Sequence, residues 1–161
     1  METIIYTDGA CSNNQHKHIR TGGYGIFFGD NDPRNKSIKL TGDKITNQVA
    51  ELTACIKAIE LVKDKNIIIK TDSMYTINCV TTWFDGWKKR GWKKADGKSI
   101  ENLELIQTLH NYYVLYDVKF IHVRAHKHEP NKDDPSYIDW YGNMMADKLA
   151  TLGAATNDTN S

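Results

Sequence analysis

The chain has 161 residues, of which 40% are hydrophobic, so it can form one compact domain with a buried core but not two. Its 21 basic and 20 acidic side chains give a formal net charge of +1, so overall charge excludes no partner and indicates none. Three widely spaced cysteines without a C-x-x-C pair exclude a disulfide framework, and no apolar run resembles a signal peptide or spans a bilayer, so we expect an intracellular protein without membrane contact.

Hydrophobic alternation in the first part of the chain predicts three strands joined by short polar loops, as in an antiparallel meander. The apolar residues then recur at helical spacing, which predicts a helix with one buried stripe. A buried central strand, two helices, a fifth strand and a closing helix ended by Gly153 follow. The predicted strands cover 2–8, 22–29, 35–43, 66–72 and 118–123, and the predicted helices cover 47–63, 73–84, 101–113 and 142–153.

This order of elements predicts an α/β fold, with a five-stranded mixed sheet flanked by helices. We interpret residues 1–153 as a single domain and residues 154–161 as a polar, flexible tail. Two segments are unusual for a small domain. Residues 83–98 are rich in tryptophan and lysine, and residues 127–141 predict a loop longer than most connections in compact domains.

Four acidic residues stand out by their positions. Asp8 and Asp72 each follow an apolar strand and a threonine, so both carboxylates would emerge at one edge of the sheet if the two strands are neighbours. Glu51 lies beside the apolar stripe of the first helix, and Asp147 lies early in the last helix. Taken singly, each acid is also explained as a turn residue or by the helix dipole.

As a set, the four carboxylates would repel one another unless cations neutralise them. Oxygen ligands without a thiolate are typical of Mg²⁺ or Mn²⁺ sites. Two such ions about 3.5–4 Å apart would hold the attacking and leaving oxygens of a phosphodiester. The alternative is that the acids are structural, in which case Mg²⁺ would change nothing.

Several long stretches of the sequence resemble the type 1 ribonuclease H family, the cellular enzymes that cut the RNA strand of RNA/DNA hybrids. They are YTDGACSNN at 6–14, TNQVAELTACIKAIE at 46–60, KTDSMYTINCVTTWFDGWKKRGWK at 70–93 and GNMMADKLA at 142–150. The resemblance extends from about Ile4 to Leu152, with the matches in the same order along the chain. It implies the RNase H-like fold, an endonuclease activity, and two Mg²⁺ ions, with Mn²⁺ as an alternative.

The resemblance assigns the metal ligands to Asp8, Glu51, Asp72 and Asp147. The segment VRAH is similar to the one that carries the family's mobile histidine, which implies that His126 assists proton transfer or product release; its unperturbed pKa near ~6.5 suits both roles. His128 is an alternative, because the gap from His126 to Asp147 is longer than relatives commonly have. The extra acids in that segment would compete for metal. A zinc site built on the two HKH sequences is a weaker alternative, since the usual second ligand pair is missing.

The family resemblance also implies how each strand of the hybrid is held. Contacts to 2′-hydroxyls or bases of the RNA strand map onto three amides, Asn14, Asn47 and Gln48. A pocket for a DNA phosphate maps onto Lys44, Thr46 and Asn102, and a channel for DNA sugars maps onto Tyr75 and Trp83. Lys44 stands where many relatives have arginine, so the charge is kept and the bidentate fork is lost. The alternatives are that Asn47 is a helix N-cap and that Trp83 belongs to the core.

A basic protrusion, as relatives have, is implied by WKKRGWKK, where tryptophans would anchor the element and cations would face phosphates. It comprises Trp87, Lys88, Lys89, Arg90, Trp92, Lys93 and Lys94. The alternative is a merely solvated charged face. The small residues after Asp8 would let a nucleic-acid backbone approach the metals.

The expected function is hydrolysis of the RNA strand of RNA/DNA hybrids by a two-metal mechanism, leaving 5′-phosphate and 3′-hydroxyl ends. The partner would be the hybrid duplex, and we expect a monomeric, stand-alone protein of low processivity. One rival is another nuclease or strand transferase on the same sheet, because fold does not fix function. A second rival is a hybrid-binding module without catalysis.

Overall fold

A computed structural model describes residues 2–12, 20–125 and 128–156 of the chain. Within these ranges the chain forms five strands and five helices. The strands are β1 (Thr3–Cys11), β2 (Arg20–Phe27), β3 (Lys36–Gly42), β4 (Ile67–Thr71) and β5 (Lys119–His122). The helices are α1 (Asn47–Val62), α2 (Met74–Val80), α3 (Phe84–Lys89), α4 (Leu103–Leu115) and α5 (Tyr137–Ala155).

All five strands form one sheet in the order β3-β2-β1-β4-β5. The strand β2 pairs antiparallel with both β1 and β3, whereas β4 pairs parallel with both β1 and β5. The prediction of a mixed sheet flanked by helices is therefore confirmed. None of the helices in the described ranges combines the length and hydrophobicity that crossing a bilayer requires.

The larger core lies on the face of the sheet that α1 and α4 cover. Leu52 and Ile59 of α1, Leu109 of α4 and Ile69 of β4 are fully buried there. The start of α1 is fixed by Thr46, whose hydroxyl accepts a hydrogen bond from the Val49 amide at 3.1 Å. Since this capping satisfies an amide that the helix leaves free, the first turn of α1 is rigidly placed.

The opposite face is covered by α5, which packs directly on the backbone of β2. A Cβ atom added at Gly25 would lie 2.2 Å from the Ala146 carbonyl oxygen, and one added at Gly23 would lie 2.5 Å from the Ala150 carbonyl oxygen. Both alanines are fully buried. Gly23 and Gly25 are therefore needed because α5 approaches the sheet with no side chain between helix and strand.

Several predicted boundaries were wrong. The first strand does not end at Asp8 but continues to Cys11, because its last residues pair with β2. The closing helix begins at Tyr137, not Gly142, so the last five residues of the predicted 127–141 loop are helical. It also continues past Gly153, which is buried against the Ile38 backbone and does not end it. The predicted helix over 73–84 is two helices, α2 and α3, because the chain turns between Val80 and Phe84. The three cysteines are free thiols, as predicted.

Candidate active site

Two carboxylates meet at one edge of the sheet because β1 and β4 are parallel neighbours. The register pairs Tyr6 with Lys70, so Asp8 and Asp72 each lie two residues further along adjacent strands. Asp8 is 4% exposed, and Asp72, which directly follows β4, is half-buried. The two carboxylates therefore lie side by side as predicted, but Asp8 does not end its strand, because β1 continues to Cys11 by pairing with β2 after β4 has ended.

A third carboxylate comes from the second turn of α1. Glu51 is 9% exposed, and its Oε1 accepts a hydrogen bond from the Gly9 amide at 3.0 Å. A Cβ atom added at Gly9 would lie 2.5 Å from the Glu51 amide nitrogen. The interpretation that Gly9 is small to admit a substrate backbone is therefore replaced by a structural reason, since the backbone of α1 occupies that space.

Asp8, Glu51 and Asp72 each place a carboxylate oxygen within 4.8 Å of the other two. Asp147 is not in this group. It lies on an exposed turn in the middle of α5, rather than early in the helix as predicted, because α5 begins five residues sooner. Its charge still reaches the cluster, because it contributes to raising the pKa of Asp72.

Burial and repulsion from neighbouring carboxylates raise the pKa of all three clustered carboxyls. Burial contributes most to the high pKa of Asp8, followed by the neighbouring Glu51 and the charge of Asp72. Burial also raises the pKa of Glu51, against the opposing hydrogen bonds from Asp8 and the Gly9 amide. For Asp72, burial and then the charge of Asp147 raise the pKa. A cation in this position would relieve the repulsion.

The cluster has the donor set that a hard divalent cation needs. Glu51 Oε2 and Asn143 Oδ1 are buried and have no hydrogen-bond partner among the described residues. Buried oxygens without a partner are costly, so both are available as acceptors for a ligand. All of the clustered donors are oxygens, which fits Mg²⁺ or Mn²⁺ rather than zinc.

Two residues near the cluster were missed by sequence reasoning. Against the larger effect of burial, the pKa of Asp72 is lowered by the charge of His122 at the end of β5 and by the Asn143 side-chain amide. Asn143 precedes Asp147 by four residues, which places both on one helix face and could have indicated it. His122 could have been found from its position at the end of the strand beside β4, next to Thr71 in the register.

A family model described as RNase H matches residues 1–155 of the chain. The chain belongs to the RNase H family. Ribonuclease H1 of Homo sapiens is 39% identical over 158 residues, covering 96% of this chain and 51% of that protein. Ribonuclease H of Maricaulis maris (strain MCS10) is 37% identical over 158 residues, covering 96% of this chain and 95% of that protein.

The fold of the RNase H family is also found by structural comparison. The solution structure of the PFV RNase H domain matches with a TM-score of 0.69 and 25% identity, covering 95% of this chain and 94% of that one. The chain spans about half the length of the mammalian ribonucleases H1 that it matches.

The residues assigned to substrate binding by resemblance to the RNase H family lie mostly on the surface. Lys44, Asn47 and Gln48 are exposed around the start of α1. Thr46 is the N-cap of α1, so the alternative that Asn47 caps the helix is wrong. Because the Thr46 oxygen accepts from the helix, its own hydroxyl hydrogen remains free to donate to a phosphate.

The aromatic residues assigned to the DNA channel lie together beside the predicted protrusion. Tyr75 and Trp83 make an edge contact with ring centroids 6.4 Å apart, and both line a cavity of about 430 Å³. Trp83 is 40% exposed, so the alternative that it belongs to the core is wrong. Asn102 donates its side-chain N–H to the Tyr75 hydroxyl at 3.2 Å, which ties it to this channel.

The basic protrusion of this RNase H chain is partly helical, because α3 covers its first half. Trp87 is buried and Trp92 is half-buried. The cations are all exposed, namely Lys88, Lys89, Arg90, Lys93 and Lys94. Asn14 and His126, and the other histidines of the two HKH sequences except His128, lie outside the described residues. His128 is exposed.

Proposed function

We propose that this chain is an endonuclease that hydrolyses the RNA strand of RNA/DNA hybrids, leaving 5′-phosphate and 3′-hydroxyl ends. The observation that supports it is the group formed by Asp8, Glu51 and Asp72, whose carboxylate oxygens lie within 4.8 Å of one another in a chain of the RNase H family. The relatives that bear the name ribonuclease H support the same activity.

The chain's own residues would hold two divalent cations at the strand ends. Asp8, Glu51 and Asp72 would be the first ligands, with Asp147 as the fourth acid and Asn143 beside Asp72. Bound Mg²⁺ or Mn²⁺ would supply Lewis-acid chemistry, activating a water and stabilising the leaving 3′-oxygen of the RNA.

Other residues would hold the hybrid so that its scissile phosphate reaches the carboxylates. Asn47 and Gln48, with Asn14, would hydrogen-bond 2′-hydroxyls or bases of the RNA strand, which is what separates RNA from DNA. Lys44 and Thr46 would bind a phosphate of the DNA strand at the start of α1, where the helix dipole favours an anion.

Further contacts with the hybrid would lie away from the carboxylate cluster. The cavity of Tyr75 and Trp83 would receive sugars of the DNA strand. The exposed cations of the protrusion would bind the phosphate backbone of the hybrid independently of its base sequence. His126 or the exposed His128 would assist proton transfer or product release. A monomer contains all of these proposed groups.

The experiment is a cleavage assay on a labelled RNA/DNA hybrid, with duplex DNA and duplex RNA as controls, in Mg²⁺, in Mn²⁺ and in EDTA. We expect cleavage of the hybrid alone, only with metal, and none by Asp72→Asn. The matched control is Asp64→Asn, an exposed acid beyond the other end of β4, which should cut like the wild type. Products should accept a 5′ label from polynucleotide kinase only after phosphatase treatment.

Three other outcomes would contradict the proposal. Cleavage of duplex DNA would favour a different nuclease or a strand transferase on this fold. Tight binding of the hybrid without cleavage in either metal would favour a binding module. Full activity of Asp72→Asn would remove the carboxylate cluster from the mechanism.

A further inference from the structure

A second polar cluster lies beside the carboxylates, and it joins β1, β4 and α5. Asp139, in the first turn of α5, accepts hydrogen bonds on its Oδ1 from the Tyr6 hydroxyl at 2.6 Å and from Lys70 Nζ at 2.8 Å. The Lys70 side chain is only 16% exposed, and Tyr6 is 6% exposed. We name Tyr6, Lys70 and Asp139 the Asp139 clamp.

The members of the Asp139 clamp repeat the spacing of the candidate active site. Tyr6 precedes Asp8 by two residues on β1, so these two share one face of the strand, and Lys70 of β4 lies two residues before Asp72, which directly follows β4. On α5, Asn143 follows Asp139 by four residues and lies on the same helix face.

The same spacing continues to Asp147, eight residues after Asp139 and about 12 Å along the helix axis at ~1.5 Å per residue. Each member of the clamp is therefore close in sequence to a group of the candidate active site: Tyr6 to Asp8, Lys70 to Asp72 and Asp139 to Asn143. A displacement of α5 at the clamp would be carried along a rigid helix to Asn143 and Asp147.

The rest of the α5 interface limits how closely the helix approaches, and its other side-chain hydrogen bonds are exposed, from the Tyr141 hydroxyl to Asp30 and from the Ser37 hydroxyl to the Leu149 carbonyl, each at 2.6 Å. Gly142 packs against the Tyr6 ring, where an added Cβ would lie 2.4 Å from Cε1, and further along α5 meets the glycines of β2 through Ala146 and Ala150. At these close contacts glycine and alanine present no branched side chain that would resist sliding or rotation, and the larger Met145 and Leu149 add apolar packing rather than directional bonds. Directional hydrogen bonds are the contacts that fix those two movements.

We infer that Asp139 is a positioning residue, which through Lys70 and Tyr6 fixes where α5 presents Asn143 and Asp147 to the strand-end acids. The inference rests on the proposed function, since it assigns Asn143 and Asp147 to the same metal site. It also gives a role to an acid of the 127–141 segment, which was expected to compete for metal and instead binds a lysine.

The test compares Asp139→Asn, Lys70→Met and the double variant with the wild type. The matched control is Asp133→Asn, an exposed acid of the same segment. Mutation of a group that orients a metal ligand typically lowers metal affinity or activity by about 10–100-fold. We expect Asp139→Asn to lower kcat and to raise the Mg²⁺ concentration for half-maximal rate, each about 10-fold, with KM for the hybrid within about twofold of the wild type.

The double variant separates positioning from simple destabilisation. Because both single changes break one network, their effects on kcat should not multiply, and the double variant should resemble the worse single variant. Asp133→Asn should match the wild type. Multiplicative losses in kcat, or a loss that follows urea stability and spares the Mg²⁺ dependence, would overturn the inference.

A readout without turnover separates this inference from the proposed function. Mg²⁺ is titrated into each protein, and binding is followed by NMR through the side-chain amide resonance of Asn143. About 10-fold weaker binding in Asp139→Asn would support the clamp, and equal binding would overturn it. If the wild type fails to cut the hybrid, the proposed function fails, and this titration alone decides the positioning role.

Discussion

The contact between α5 and β2 predicts that Gly25→Ala is strongly destabilising, although it adds a single methyl group. The added Cβ would lie 2.2 Å from the Ala146 carbonyl oxygen and 2.7 Å from the Ala150 amide nitrogen. Ordinary contact begins at 3.4 Å, so α5 must move by 3.4 − 2.2 = 1.2 Å at this point. Both atoms belong to the helix backbone, which has no rotamer to change.

The expected cost follows from this displacement. Overpacking a core usually costs about 1–3 kcal/mol, and the backbone clash places Gly25→Ala at the upper end of that range. The lower entropy of the unfolded alanine chain offsets only about 0.4–1 kcal/mol. Because Asp147 is adjacent to Ala146, a shift of about 1 Å in α5 should also lower kcat on the hybrid by about 10²-fold.

The assay is urea unfolding monitored through tryptophan fluorescence, with hybrid cleavage measured on the same protein samples. The matched control is Gly86→Ala in α3, where the closest atom to an added Cβ is a movable Arg90 guanidinium nitrogen at 3.4 Å. That change should leave stability unchanged or raise it by up to about 1 kcal/mol, because alanine favours helix. An unfolding free energy of Gly25→Ala within about 0.5 kcal/mol of the wild type would refute the close-contact argument.

Three further predictions concern the acids, the cap of α1 and the protrusion. Burial raises the pKa of Asp8 in the folded state, so its contribution to stability is present below the unfolded pKa and is lost as pH rises toward the raised value. In EDTA, Asp8→Asn should therefore be more stable than the wild type at pH 8 but not at pH 4, by urea unfolding, with a slope no steeper than about 1.4 kcal/mol per pH unit. Thr46→Ala should cost about 1 kcal/mol of unfolding free energy by removing the cap, whereas Thr46→Ser should cost little. Replacing Lys88 and Lys89 with alanine should reduce the slope of log binding constant against log salt by up to ~0.9 per lost phosphate contact, measured by fluorescence anisotropy with the hybrid in an Asp72→Asn background.

Each of these predictions has a control and a contradicting result. Equal stability of Asp8→Asn and the wild type at pH 8 in EDTA would show that the ionised Asp8 carboxylate does not destabilise the fold. Added Mg²⁺ should reduce any difference in stability between the two proteins. Thr46→Ser as damaging as Thr46→Ala would rule out capping as the reason. Lys65→Ala, an exposed lysine beside the start of β4, is the control for the protrusion, and an equal change in its salt slope would remove any special role of Lys88 and Lys89.

The sheet and the carboxylate pair were predictable because their signals are local. An apolar run such as Ile67–Thr71 identifies a buried strand by itself, and the repeated Thr-Asp pattern places Asp72 directly after β4, although β1 continues past Asp8 to Cys11. Their meeting required only that the two strands be parallel neighbours, as the pairing of β1 and β4 shows.

The start of α5 could not be predicted because its first turns are held by tertiary contacts. Tyr137, Trp140 and Tyr141 form an aromatic group on this segment, and Asp139 binds Lys70 from a distant strand. Taken by themselves, the prolines and acids of residues 127–141 predict a loop. The same limit applies to Gly9, whose small size reflects α1 packing that no local pattern reveals.

The docking of α5 on β1 and β2 means that the earliest and latest parts of the described chain must meet before the candidate site is complete. Asp8 and Asp147 are separated by 147 − 8 = 139 residues. Contacts of such high sequence separation form late, since the loop-closure entropy must be offset first. During synthesis, a chain that has emerged only as far as α4 would carry Asp8, Glu51 and Asp72 but leave the glycines of β2 uncovered. Hybrid cleavage by ribosome-bound chains of increasing length should therefore begin only once α5 has left the exit tunnel, so that the activity starts in a single step at the end of folding.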